Sequence, residues 1–207
     1  MLNKTMLITY PNSLGRDIKE LSEVVDKYLK DVIGGIHILP FYPSSGDRGF
    51  APMTYQEVDE AYGSWEDIKN LSKNYELMFD FMINHISKSS EYFKDFARYK
   101  EESEYYDLFI KYSDFWANGG PTEEQVELIY KRKPKAPYVD VTFADGSKDK
   151  VWCTFDEEQI DLDITKAKTR EFIRNNLEDL CEKGAKIIRA DAFAYVTKKI
   201  GTNCFFV

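Results

Sequence analysis

The chain has 207 residues, 43% of them hydrophobic and 31% charged, with a net charge of −8 and a pI near 5.0. That length holds one core, or one core with an inserted lobe, and the composition is that of an ordinary globular protein. The acidic balance excludes binding that rests on clustered lysine and arginine, to nucleic acid or to an anionic membrane, and the longest charged stretch (residues 100–104) reads as a solvated helix face.

Residues 5–9, Thr-Met-Leu-Ile-Thr, are a short apolar run closed by Pro11-Asn12, which predicts a first strand. From residue 13 the period changes. Leu14, Ile18, Leu21, Val25, Tyr28 or Leu29, and Val32 recur at threes and fours, which predicts an amphipathic helix with Gly34-Gly35 as its stop. Residues 36–41, ending in Leu39-Pro40-Phe41, are the expected second strand, completing a β-α-β unit. The long stretch 42–63 reads as a functional loop. Ser64 opens a helix in the capping pattern Ser-x-x-Asp67, with Trp65, Ile68 and Leu71 on one face. The expected third strand, 77–83, delivers Asn84 and His85.

At Ile86 the rhythm breaks. Tyr92, Phe96 and Tyr99, then Tyr105, Phe109, Tyr112 and Trp116, predict two aromatic helices. Asn118-Gly119-Gly120-Pro121 reads as a turn, and residues 139–143 and 150–155 flank Asp145-Gly146 as a hairpin. The β-α pattern then returns. Phe172, Ile173, Leu177, Leu180 and Cys181 share a helix face stopped by Gly184, and residues 186–195 predict a buried strand whose far end presents charge. The expected organisation is therefore α/β with a parallel sheet: residues 1–85 begin it, 86–162 form an inserted lobe, and 163–207 continue the sheet through a fourth strand. Four β-α steps do not close a (β/α)8 barrel, so the sheet is either small and open or the front half of something larger.

Arg189 and Asp191 lie two apart, so on an extended segment their side chains share a face. A guanidinium beside a carboxylate holds the acid ionised, which suits a nucleophile; the same pair would also serve as a structural ion pair. Asp47 and His85 are expected at carboxyl ends of strands as well. Such converging groups suit sugar hydroxyls, whereas one histidine with scattered acids is a weak metal signal. No Ser/Cys–His pair with supporting context and no glycine-rich phosphate loop is present. The residues favour carboxylate chemistry on a glycosidic bond. Three cysteines without metal-type spacing read as free thiols of a reducing compartment. The first ten residues are too weakly apolar for a signal peptide, and no segment is long enough to cross a bilayer, so a cytoplasmic protein is expected.

Three segments, Asp80-Phe-Met-Ile-Asn84-His85, Gln159-Ile-Asp161-Leu-Asp163 and Ile188-Arg189-Ala-Asp191-Ala192, resemble signature segments of the α-amylase superfamily. More narrowly, Met6–Tyr10, Gly35–Phe41, Gly46–Pro52 and Phe193-Ala-Tyr195 are similar to the sucrose phosphorylases. The resemblance runs nearly end to end and implies the N-terminal half of a (β/α)8 TIM barrel with a small lobe between the third strand and third helix. It implies retaining transfer of glucose from sucrose to phosphate, giving α-glucose 1-phosphate and fructose, with sucrose 6-phosphate or glucosylglycerate phosphorolysis as the related alternative. Asp191 would be the nucleophile and Arg189 would hold it ionised. Asp47 and His85 would bind glucose hydroxyls, Phe50 would form an apolar wall, Phe155 and Gln159 would complete the pocket, and Tyr195 would line the site near the nucleophile. Asp80 and Asn84 would brace the loop. No cofactor and no metal are expected, although the Asn position binds calcium in some relatives. The implied partners are a small-molecule sugar and phosphate, with no nucleic acid or membrane, and a homodimer is one expected assembly of the full-length parent. Two departures stand out. Ala190 replaces the usual leucine, and the family's acid/base glutamate and its later His-Asp pair come after the fourth strand, so the 207-residue chain alone is expected to be inactive, and a non-catalytic half-barrel prone to self-association is the other reading.

Overall fold

A computed structural model describes residues 4–116 and 119–207. In chain order the strands and helices are β1 (Thr5–Thr9), α1 (Ile18–Tyr28), β2 (Ile33–Ile38), α2 (Trp65–Ser72), β3 (Glu76–Met82), β4 (His85–Ser87) and α3 (Glu91–Tyr99). There follow α4 (Tyr112–Phe115), α5 (Glu123–Leu128), β5 (Tyr138–Thr142), β6 (Lys148–Trp152), β7 (Gln159–Asp161), α6 (Ala167–Glu182) and β8 (Ala185–Asp191). The chain divides into two compact units, one of Met1–Phe81 with Arg174–Asp191 and one of Met82–Ile173 with Ala192–Val207.

The first unit is built on a sheet of order β1-β2-β3-β8, with β1 parallel to β2 and β2 parallel to β3. All six residues of β2 are buried, as befits a central strand. Helix α1 begins where Asp17 accepts the Glu20 N–H at 2.8 Å, and its stripe Ile18, Leu21 and Val25 is buried. The predicted capping box at α2 is present. Ser64 and Asp67 each accept the other's backbone N–H, and an N-cap of this kind contributes about 1 kcal/mol. Gly34 and Gly35 do not stop α1, which is already closed by the Leu29 N–H bonding the Val25 carbonyl. They lie inside β2, which begins at Ile33, three residues earlier than expected, and a Cβ on Gly35 would meet the Glu76 carbonyl oxygen at 2.8 Å. Their smallness serves close strand pairing, not a helix end.

The second unit carries two antiparallel pairs, β4 with β7 and β5 with β6, the latter at the predicted hairpin. Phe93, Phe96, Phe109 and Phe143 pack with ring centroids 5.1–5.6 Å apart. A further core joins Ile110, Trp116, Ile129, Trp152 and Cys204. The first aromatic helix is α3, but the second is a correction. Residues 105–116 hold a 3-10 turn (Tyr106–Leu108) and the four-residue α4, because Phe109 and Lys111 make antiparallel bridges to Leu162 and Val151. Backbone pairing there overrides the aromatic period. The expected turn at 118–121 lies partly outside the described residues.

Two other expectations change. In α6 the buried positions are Thr169, Ile173, Asn176 and Leu180, and Cys181 is exposed. Thr169 and Asn176 bury because their side chains are paired, to the Asp107 carbonyl at 2.8 Å and to the Gln56 amide at 3.1 Å. Strand β8 is an outer strand of the described sheet, and beyond Ala185 it is half-buried to exposed, not buried as predicted. All three cysteines are free. Burial pushes the Cys153 thiol up to about 12, with the charge of Asp161 adding to the shift. Alkylation of the native protein near about pH 8 should therefore label Cys181 well ahead of Cys153 and Cys204. Peptide mapping checks this, and rapid native labelling of Cys153 would contradict it. Among the described residues no helix is long and apolar enough to cross a membrane.

Candidate active site

In the first unit a chain of charged side chains crosses three neighbouring strands. Asp191 is the last residue of β8, and its Oδ1 lies 2.8 Å from Nη2 of Arg189, two residues back on the same face. The other end of that guanidinium, Nη1, donates to Oδ1 of Asp80 on β3 at 2.5 Å. Oδ2 of Asp80 in turn lies 2.8 Å from His37 Nε2 on β2. Asp80 is completely buried, whereas the Arg189 side chain is 44% exposed and that of Asp191 20%. Charge is thus anchored in the interior and presented at the strand end. Burial works to lower the Arg189 pKa, but the hydrogen bond to Asp80 and the charges of Asp80 and Asp191 outweigh it, and the net shift is upward. The arginine is a permanent cation beside Asp191.

The loop after β2 brings Phe50 to this group, with the Arg189 Cζ 5.8 Å from its ring centroid. Asp47 sits at the start of a tight turn in which Asp47, Arg48 and Gly49 all have positive φ (52°, 48° and 97°). A Cβ on Gly49 would meet the Pro40 carbonyl oxygen at 2.7 Å, so glycine is required there. Two left-handed non-glycine residues cost on the order of 1 kcal/mol each, offset in part by Arg48 stacking 4.1 Å from the Tyr10 ring.

In the second unit His85 heads β4, pairing across to Asp161 of β7, three residues beyond the end of β3. Its ring packs edge-on to Phe155 at 5.3 Å, and Phe155 packs likewise on Tyr195 at 5.0 Å. Nδ1 lies 3.4 Å from the Asn84 amide nitrogen and Nε2 lies 3.3 Å from that of Gln159. A neutral imidazole has one acceptor nitrogen. The Lys198 ammonium donates to Asn84 Oδ1 at 3.0 Å, which turns the Asn84 nitrogen toward Nδ1. Lys198 also donates to the Tyr195 carbonyl and pairs with Asp161 at 2.8 Å, both side chains being at most 3% exposed. Asp161 further accepts the Thr154 N–H (3.0 Å) and hydroxyl (2.5 Å). Burial raises the Tyr195 pKa, and Arg132, hydrogen-bonded to it, partly opposes that.

The residues singled out from sequence thus fall in two groups. Asp47, Phe50, Arg189 and Asp191 belong to the first unit, and His85, Phe155, Gln159 and Tyr195 to the second. Three polar residues escaped the sequence reading. His37 sits inside the apolar second predicted strand, Lys198 follows the last predicted strand, and Arg132 lies in a short run of cations at 131, 132, 133 and 135 that could have drawn notice. Among the described residues no three His, Cys, Asp or Glu side chains gather as a metal site requires.

Residues 9–203 match the family described as alpha amylase, catalytic domain. The chain is 56% identical over 207 residues to a sucrose phosphorylase of Streptococcus mutans, covering 100% of this chain and 43% of that one. It is 46% identical to a sucrose 6(F)-phosphate phosphorylase of Thermoanaerobacterium thermosaccharolyticum, with 99% and 43% covered. A crystal structure of sucrose 6F-phosphate phosphorylase from Thermoanaerobacter thermosaccharolyticum superposes with a TM-score of 0.95, again over 99% of this chain and 43% of that one. The chain therefore spans under half the length of these relatives, and its parallel sheet is half of a (β/α)8 barrel. On the match over residues 9–203, the chain belongs to the alpha-amylase catalytic-domain family.

Proposed function

We propose that the protein carrying this chain is a retaining glucoside phosphorylase that moves glucose from sucrose to phosphate. The observation that carries the reading is Asp191 at the end of β8, 2.8 Å from an arginine that is itself clamped by a buried aspartate. A carboxylate oriented by a fixed cation is what attack on an anomeric carbon needs. The 56% identity to a sucrose phosphorylase supports sucrose as donor.

In this reading the Asp191 carboxylate attacks C1 of the glucosyl group, the glycosidic C–O bond breaks, and the fructose oxygen takes a proton from an acid not assigned to any residue here. A phosphate oxygen then attacks C1, releasing Asp191 and giving α-glucose 1-phosphate with retained configuration. Asp47 and His85 would hold glucose hydroxyls. Phe50 and Phe155 would offer apolar surfaces to the sugar, and Gln159 and Tyr195 would bind it as well. Residues 1–85 and 163–207 would belong to the barrel and 86–162 to its inserted lobe. The reducing conditions implied by three free thiols fit a cytoplasmic enzyme.

The test is incubation of the longer protein with inorganic phosphate and sucrose, following α-glucose 1-phosphate. Sucrose should turn over at least about tenfold faster in kcat/KM than sucrose 6-phosphate. The reverse order would transfer the reading to the second phosphorylase, which the 46% relative favours. Release of β-glucose 1-phosphate would contradict retention.

A further inference from the structure

We propose that His37 is a positioning residue for the Arg189–Asp191 pair and acts on it through Asp80. The inference rests on the reading of Asp191 as nucleophile. His37 lies on the buried central strand β2, and the alternation of that strand turns it to the opposite face from Ile36 and Ile38. Its Cα partner on β3 is Met78, so Asp80, two residues further along, shares its face. The imidazole and the carboxylate meet at 2.8 Å.

A buried histidine on a strand is ordinarily a satisfied core group. What sets this one apart is where its partner's second oxygen goes. Asp80 Oδ2 meets His37 and Oδ1 takes Arg189, whose far end holds Asp191. A carboxylate held at one oxygen only can swing about its Cβ–Cγ bond; held at both, it cannot. The O–H of Tyr42 fixes the backbone beneath it, donating to the Asp80 carbonyl at 3.2 Å. Arg189 is gripped by Asp80 at one end of its guanidinium and meets Asp191 at the other. Its aim depends on Asp80, and the aim of Asp80 depends on His37. Without the His37 donor, a fully buried carboxylate oxygen loses a partner, and the cheapest relief is rotation, which loosens Arg189.

Two amides separate this role from simple packing. Glutamine places its nitrogen near the position of Nε2, whereas asparagine places it near that of Nδ1. In the longer protein His37→Asn should lower kcat about 10- to 100-fold with the KM for the sugar donor within about 2-fold, while His37→Gln stays within about 3-fold of the unsubstituted enzyme. The Arg189 side-chain N–H signals, followed by NMR, should broaden or average in His37→Asn and persist in His37→Gln. If His37→Asn does not fold, His37→Met, which fills the space without a donor, takes its place under the same expectations. Equal kcat in the two amide variants, or an Arg189 signal unchanged by losing the donor, would overturn the proposal. The NMR readout needs no turnover, so a protein that transfers no glucose sinks the nucleophile reading while His37 is still judged by Arg189.

Discussion

Replacing Asp191 by asparagine should lower glucosyl transfer by about 10⁴-fold or more while leaving the fold in place. The amide has the shape of the carboxylate but is not a nucleophile at neutral pH, and no covalent intermediate can form on it. The fold should survive because the pair it breaks is not a foundation. Arg189 keeps its shorter bond to the fully buried Asp80, and the side-chain oxygen of asparagine still accepts from the guanidinium, so the loss in stability should be on the order of 1 kcal/mol. Activity loss should therefore come with a melting temperature almost unchanged. Substantial activity in Asp191→Asn would remove the nucleophile from this position, and loss only in step with unfolding would recast the pair as structural.

Lys198→Met is expected to do the opposite: a large loss of stability, about 3–5 kcal/mol, from a residue that need not touch substrate. The ammonium is 97% buried with Asp161, whose side chain has no exposure at all, and it also serves Asn84 and the Tyr195 carbonyl. As a net interaction such a pair contributes little, because desolvating both charges costs nearly what their attraction returns. Breaking it is different, since methionine leaves the Asp161 charge buried with only the Thr154 donors. Against a total stability of about 5–15 kcal/mol this is severe. Denaturant unfolding measures it, and a second change, Asp161→Asn, should recover part of the loss by removing the stranded charge. A double variant no more stable than Lys198→Met would contradict the charge argument.

Much of the first unit was readable because its signals are local. The stripe Ile18, Leu21 and Val25, the Ser64–Asp67 capping box and the apolar runs of β1 and β3 each carry their instruction within a few residues. Gly34-Gly35 misled because two glycines look alike at a helix end and in a tightly paired strand, and only the Glu76 carbonyl across the sheet distinguishes them. The second unit was less legible. Its aromatic residues from 105 to 116 mimic a helical period, but bridges to residues 151 and 162 govern the backbone, and those lie some forty to fifty residues away. The same is true of the site. Arg189 and Asp191 stood out because their relation is sequential. His37 with Asp80 is 43 residues apart and Lys198 with Asn84 is 114, so neither pairing has a local trace.

The most direct measurement is to mix the longer protein with sucrose in the absence of phosphate, quench in acid, and map the peptides by mass spectrometry. A hexosyl group on the peptide containing Asp191, lost when phosphate is added before the quench, is the predicted result. A hexosyl group on any other carboxylate, or retained product formed with no adduct at Asp191 under conditions that accumulate the intermediate, would contradict it.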